Sequence, residues 1–514
     1  MNGMDKAQRE YGDYQTPLWF CEQVYEYLQK HVMPHAELIF EPTCGIGNFL
    51  QAGKHAYPHA KLCGLEVNGD YARRAATIIG NNGCIFHHDF FDFDFNAVKK
   101  QLPAGGRTLI IGNPPWANNT TLSVIGSRNL PVKSNFKGAR GLDAITGSAN
   151  FDICEYMILQ LMAQFRDTET TIAMLCKTSV ARNIFQELIR TQTNCRIARV
   201  LNIDTNKVFQ VSTDACLLIL ELTETSEKPS SCEVFSFSAP SRMVSQFGYR
   251  DGKFYSQLEN DLPDIDGTCC FEWRQGIKHD CSRVMELTPD NAGFCNNMGE
   301  RVTVEDALLY PLVKSSHLKT PILSKYRKCV LVTQKYIGQE TASIQRNYPL
   351  TWAYLSMHAH DFDNRKSIIY KNSPRYSMFG IGGYAFAPYK VGISGFYKQP
   401  LFSLICGDKP VMLDDTCYFL PFDNYDDAYV AMLILNSKTV TFFLKSVSFA
   451  DSKRPFTKKI LSRVDFDKCM QRIGLKELHE TELSLHLPTY INLAQLNHFD
   501  ALIHQNGRQQ SLAI

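Results

Sequence analysis

The sequence predicts an α/β fold, a mainly parallel sheet with helices on both faces, followed by a second part of mixed α and β character. Three observations carry this reading. Short apolar runs recur through the first part of the chain: LIF (38–40), LCGLEV (62–67), CIFHHD (84–89), LIIGN (109–113), TIAMLC (171–176) and DACLLILEL (214–222). Helical spacing lies between several of them, as in FDICEYMILQLMAQF (151–165) and VARNIFQELIRT (180–191). Strands alternating with helices argue for parallel pairing. Beyond ENDLPDIDGT (259–268) that rhythm stops, and 514 residues are more than one ordinary hydrophobic core organises, so a second domain is expected there.

In such sheets ligands gather at the carboxyl ends of the strands, so the loop after each run is where chemistry belongs. The first loop is EPTCGIGNFL (41–50). Gly45 and Gly47 let the backbone turn tightly and approach a ligand, and the following helix offers its N-terminal amides. Glu41 beside this loop suits a ligand with an ammonium group and disfavours a bare pyrophosphate. The second run ends in Glu66-Val67, where a carboxylate can accept from both hydroxyls of a ribose. The third ends in Asp89-Phe90, an acceptor for an amino group beside an aromatic ring.

The fourth run ends abruptly at Asn113-Pro114-Pro115-Trp116. Two prolines fix φ and remove two backbone donors, leaving rigid outward carbonyls. An Asn oxygen and a Pro carbonyl side by side can accept both protons of an exocyclic amine, and Trp116 offers a flat face for the ring that bears it.

Composition excludes several classes. A net charge of +2 announces no global polyanion binder, so any nucleic-acid role must rest on local patches. No apolar run reaches the length of a bilayer span, and the polar start MNGMDKAQREYGDY does not resemble a signal peptide, which places the chain in the cytoplasm. Seventeen cysteines, an odd number with no Cys-x-x-Cys pair, fit reduced thiols better than a disulfide framework or a zinc site. No metal is expected.

At these residues the sequence resembles the S-adenosylmethionine-dependent DNA amino-methyltransferases, in the group whose cofactor motifs come first and target-recognition region last. YGDYQTP (11–17) is similar to that group's N-terminal cofactor motif through Thr16 and Pro17. EPTCGIGNF resembles the Gly loop with Glu41, Thr43, Gly45 and Gly47, Glu66-Val67 the ribose-binding acid, and Asp89-Phe90 the adenine-binding pair. Asn113 to Trp116 resembles the catalytic tetrapeptide, with Asn113 also beside the cofactor. In KVFQVSTDACLLIL (207–220), Phe209 matches the residue that packs with Trp116 on an extruded base. The chain departs from the family in carrying Lys177-Thr178 after TIAMLC, where proline is common, and Trp where Tyr or Phe is commoner.

The resemblance implies a Rossmann-like, seven-stranded catalytic domain over 1–245, a linker over 246–270 and an α+β DNA target-recognition domain over 271–514. It implies S-adenosylmethionine as cofactor, double-stranded DNA as partner, a monomer, and any cognate endonuclease as a separate chain. The expected reaction is methylation of a flipped-out adenine at N6. The exocyclic amine of cytosine is the close alternative, and an RNA or a protein glutamine a more distant one. A fused nuclease finds no room before residue 11, and the intact acids speak against a non-enzymatic DNA-binding protein. In the second half, WRQGIKHD (273–280), RKSIIYKNSPRYSMFGIGGYAFAPYK (365–390) and SKRPFTKK (452–459) are the candidates for phosphate and groove contact. Their candidate side chains are Arg274, Lys278, Lys371, Arg375, Lys390, Lys453 and Arg454.

Overall fold

The computed structural model describes residues 15–103, 105–116, 152–211, 213–258, 261–291, 293–449 and 452–511. The first four residues of YGDYQTP, as well as Phe151, Ser212, Glu259 and Asn260, lie outside them. The chain divides into two compact units, Met1–Leu258 and Glu259–Ile514.

In the first unit, helix α1 (Leu18–His31) precedes β1 (Leu38–Glu41), α2 (Asn48–Ala56), β2 (Lys61–Glu66), α3 (Gly69–Ile79) and β3 (Gly83–His87). A short α4 (Asn96–Lys99) leads to β4 (Thr108–Gly112). Then follow α5 (Ile153–Gln164), β5 (Thr170–Lys177), α6 (Thr178–Arg190), β6 (Cys195–Ile203), α7 (Thr205–Phe209) and β7 (Ala215–Leu222). The strands from β1 to β5 pair in parallel, in the order β5-β4-β1-β2-β3. On the other side β7 lies antiparallel between β5 and β6.

The strands read as unbroken apolar runs because both faces are covered. Along β4, Ile110 joins one core with Phe40, Ile172 and Met174, while Leu109 and Ile111 join the other with Ile39, Ala173 and Leu175. Period-two alternation therefore distributes one run between two cores. The start of α3 is fixed by Asn68, whose side-chain oxygen accepts from the amides of Asp70 and Tyr71 at 2.9 and 3.3 Å.

The sheet is wider than the seven strands expected from the sequence. Ten are hydrogen-bonded together, because β8 (Ser231–Ser236), β9 (Ala239–Arg250) and β10 (Lys253–Tyr255) continue it beyond β6. Residues 246–255, read as the start of a linker, are thus largely strand. The long β9 is mostly solvent-facing over its first half, so its sequence carries little apolar alternation to mark it.

The second unit holds two more sheets, one of six short strands and one of five. The five-stranded sheet centres on β11 (Tyr389–Ser394), which pairs antiparallel with both Phe402–Cys406 and Cys417–Phe422. Packed on this sheet is α8 (Tyr425–Asn436), whose residues 428–435 are all buried, which is why it is apolar all round. Among the described residues no single helix is long and apolar enough to cross a membrane. All seventeen cysteines are free.

Candidate active site

The carboxyl ends of β1, β2, β3 and β4 carry the acids and the tetrapeptide read from the sequence, and β1 sits between β4 and β2. Glu41 closes β1, Glu66 closes β2, Asp89 follows β3 and Asn113 follows β4.

The Gly loop turns through Gly45 at φ +52° and Gly47 at φ +93°, both left-handed. A Cβ on Gly47 would stand 3.2 Å from the Cα and Cβ of Ala75, so glycine there also lets α2 start close against α3. The loop is held from both sides. Glu66 Oε2 accepts from the Gly45 amide at 2.8 Å, and the Cys44 amide donates to the Leu65 carbonyl at 2.9 Å. Glu66 Oε1 accepts from the Asn68 amide at 2.8 Å. Glu66 thus braces the loop through both of its carboxylate oxygens.

From the N-terminal side, the Asn48 side chain donates to the Thr16 carbonyl at 2.8 Å, and the Pro17 carbonyl accepts from the amides of Phe20 and Cys21 to start α1. Thr16 is buried, and Gln15 places its amide oxygen 3.4 Å from the Ile46 amide. Val67 is exposed.

Glu41 is only 3% exposed, yet its Oε2 has no hydrogen-bond partner among the described residues, nor has Thr43 Oγ1 in the same loop. Burial first, and the Glu66 carboxylate second, push the Glu41 carboxyl well above its usual range. An acid left this way at a glycine-lined strand end is a built place for a cationic donor. A Cβ on Gly112, the last residue of β4, would meet Glu41 Cγ at 3.4 Å, so the start of the tetrapeptide lies against the same acid.

Asp89 Oδ1 accepts from the Phe91 amide at 2.9 Å and opens a single 3-10 turn. Phe90, the aromatic ring expected beside Asp89, belongs to the core and packs edge-on at 5.3 Å from Phe95. Burying its ring in the core stabilises the turn that aims Asp89.

Pro114 is buried, and Asn113, Pro115 and Trp116 are half-buried. Trp116 is less bare than the sequence suggests. Its indole N–H donates to the Leu175 carbonyl at 3.3 Å, and its ring stands edge-on to Phe209, 5.9 Å away at 73°. The residues chosen for stacking are thus adjacent, though 93 positions apart in sequence, and Phe209 is backed in turn by Phe20 at 6.3 Å.

One neighbouring pair was not read from the sequence as part of the site. Lys177, the last residue of β5, holds Asp152 at 2.7 Å. Asp152 Oδ1 caps α5 through the Cys154 amide at 3.0 Å, and Cys154 in turn lies 3.7 Å from the same Leu175 carbonyl that receives Trp116. The departure at Lys177-Thr178 was its only signal, since the partner acid lies 25 residues upstream.

In the second unit the basic residues expected at DNA differ in availability. Lys371 and Lys453 are exposed. Arg375 is exposed but pairs with Asp363 at 2.9 Å. Lys278 faces Asp280 and Asp415 at 3.0 and 3.6 Å. Arg274 pairs with Glu272 and lies over the Tyr384 ring at 4.4 Å, and Arg454 over Phe396 at 4.8 Å. Lys390 is a correction: it is 1% exposed on the central strand β11, donating to the Ala387 carbonyl at 2.7 Å. Burial lowers its pKa to about 7, and it cannot reach a groove.

No family model matches the chain. It is 39% identical over 482 residues to the type II methyltransferase M.NspV of Nostoc sp. (strain ATCC 29411 / PCC 7524), covering 91% of this chain and 98% of that one. A shorter stretch of 83 residues is 32% identical to the type II methyltransferase M.CvrRI of Paramecium bursaria Chlorella virus XZ-6E, covering 16% of this chain and 19% of that one. The structure is similar to that of the type IIL restriction-modification enzyme MmeI in complex with DNA, with a TM-score of 0.54 at 12% identity, over 98% of this chain and 76% of that one. With two-fifths of its residues shared along nearly the whole of a curated relative, the chain belongs to the type II methyltransferases.

Proposed function

We propose that this chain is a site-specific DNA methyltransferase that transfers a methyl group from S-adenosylmethionine to the exocyclic N6 amine of a flipped-out adenine. The observation that carries the proposal is the placement, at the carboxyl ends of the paired strands β1 and β4, of the buried Glu41 with its unsatisfied oxygen beside Gly112, the residue before Asn113-Pro114, and of the Trp116–Phe209 pair that follows. MmeI, which shares the fold, is a structure with DNA, and DNA is the substrate this reading assigns here.

The donor set fits the cofactor. Glu41 would receive its ammonium group, Glu66 its ribose hydroxyls, Asp89 its adenine amine, and the turn at Gly45 and Gly47 would admit its backbone-facing side, with Thr16 and Pro17 behind. When bound, it supplies a sulfonium methyl group, already a strong electrophile. The protein's part is orientation and charge. The lone pair of an adenine amine is delocalised into its ring, so the nitrogen is a poor nucleophile. Acceptance of both N–H groups, by the Asn113 side-chain oxygen and the Pro114 carbonyl, favours a tetrahedral nitrogen and stabilises the positive charge it develops. Pro115 keeps the Pro114 carbonyl fixed by holding φ. A base inside a duplex cannot reach such a pocket and must be extruded, which costs a few kcal/mol. Contacts with Trp116 and Phe209 return about 1 to 3 kcal/mol per base.

The test is transfer of labelled methyl from S-adenosylmethionine to unmethylated genomic DNA, with nucleoside analysis of the product. Label in N6-methyladenine, reduced by about 100- to 1,000-fold in kcat for Asn113→Ala with cofactor binding retained, is the expected result. Label in N4-methylcytosine would keep the mechanism and change the base. Cofactor binding without label in DNA would overturn the proposal.

A further inference from the structure

Among the large apolar side chains exposed on the second unit, four fall in pairs on two loops, and the second pair lies within the basic segment 365–390. Ile368 is 74% exposed, Tyr336 61% and Ile337 54%, with Ile369 beside them. Exposed apolar groups of this size mark contact surfaces.

They sit on braced loops. The Gln339 side chain closes the 334–339 loop on the Lys335 amide at 2.5 Å, and Gly338 turns at φ +81°. Arg365 fastens the 365–377 loop, donating to the carbonyls of Ser377 and Arg375 at 2.7 and 2.6 Å and lying over the Tyr370 ring at 3.6 Å. The two loops are joined to each other. Thr333 donates to the Tyr376 carbonyl at 2.6 Å, and the Met378 amide to Gln334 Oε1 at 2.8 Å. Rigid backbone beneath exposed apolar tips means that little ordering entropy remains to be lost on binding.

Charge selects the partner. Residues 333–379 contain six Lys and Arg against three Asp and Glu, a net of +3 in a chain whose total is +2. Lys335 precedes the first tip, and Lys366 and Lys371 bracket the second. All three are exposed and make no ion pair among the described residues. A protein interface of this apolar character would be depleted in lysine, whereas a DNA groove pairs apolar contact with bases and cationic contact with phosphates.

We propose that Tyr336-Ile337 and Ile368-Ile369 form an apolar wedge that enters a groove of duplex DNA, with Lys335, Lys366 and Lys371 on the flanking phosphates. This rests on the reading of the chain as a DNA enzyme and names the surface that engages the duplex. Side chains of this kind insert at base steps and open them, which widens the contact beyond phosphate neutralisation.

The test uses the full chain and short duplexes sheared from unmethylated genomic DNA. Fluorescence anisotropy gives Kd across a salt series, and methyl transfer to the same DNA gives KM and kcat. Tyr336→Ala/Ile337→Ala and Ile368→Ala/Ile369→Ala should each weaken Kd by about 10-fold with the salt slope unchanged. Lys335→Ala and Lys366→Ala should instead each flatten the slope by about 1. Melting temperature and cofactor affinity stay as in the unaltered protein, which separates these effects from misfolding. Unchanged Kd in the apolar variants overturns the wedge, as does loss of self-association in them without loss of DNA binding. If the unaltered chain binds duplex but transfers no methyl, the enzymatic reading fails while anisotropy still decides the wedge. If it binds no duplex, the wedge fails too.

Discussion

Replacing Glu41 by Gln separates function from stability at one residue. The carboxylate is 3% exposed and leaves Oε2 without a partner among the described residues, so in the free protein it is a liability. Relieving a buried acid with an unsatisfied oxygen should stabilise the first unit by about 1 kcal/mol, which for a unit of this size raises Tm by about 2 to 4 °C. The cofactor should respond in the opposite sense. Removing one partner of a desolvated, hydrogen-bonded charge pair costs about 2 to 5 kcal/mol, or about 30- to 4,000-fold in Kd. Because the ammonium group is common to S-adenosylmethionine and S-adenosylhomocysteine, both should weaken equally in isothermal titration.

The pH dependence fixes the sign. Glu41 binds its proton more tightly in the folded state than in the unfolded one. Its penalty is therefore absent below the ordinary carboxylate range and grows as pH rises through and above it. The gain in Tm for Glu41→Gln should be larger at pH 8 than at pH 4. A Kd within threefold of the unaltered protein, or a gain in Tm independent of pH, would refute the reasoning. Loss of S-adenosylmethionine binding alone would move Glu41 from the ammonium to the sulfonium.

Lys177→Ala leaves Asp152 without its 2.7 Å partner beside the strand that holds Trp116, and should lower kcat by about 10-fold with KM for the cofactor unchanged. Lys177→Arg should restore most of it, and stopped kinetics on DNA with both variants checks this. Lys390→Met should raise Tm. The buried lysine's pKa is about 7 when folded and higher when unfolded, so its penalty is full below pH 7 and fades as pH rises towards the unfolded value near 10.5. Thermal melts should show a larger gain at pH 7 than at pH 10, with DNA affinity unaltered by anisotropy.

Much of the site was legible because its signals are local. The acids at 41, 66 and 89 each follow an apolar run, and proline or glycine soon after Glu41, Glu66 and Asn113 marks those strand ends without knowledge of their neighbours. Phe90 shows where such reading stops: Asp89-Phe90 could be placed after β3, but whether the ring faces a ligand or Phe95 depends on what packs behind it. The basic segments fail similarly. RKSIIYKNSPRYSMFGIGGYAFAPYK reads as a cationic surface, and only the pairing of β11 on both edges turns Lys390 inward and leaves Lys371 outside.

By itself the sequence determined the alternation of strands and helices, the order of the strand-end acids and the rigid Asn-Pro-Pro-Trp tip, because periodicity and the conformational limits of glycine and proline act within a few residues. The tertiary structure alone decided the antiparallel insertion of β7, the three strands beyond β6, the Asp152–Lys177 pair and the meeting of Trp116 with Phe209. Whereas β8 to β10 follow one another through two-residue turns, the docking of β8 on β6, the place of β7, the Asp152–Lys177 pair and the Trp116–Phe209 contact each join segments apart in the chain. Their partners are chosen by which apolar faces close into a common core, a property of the whole sheet.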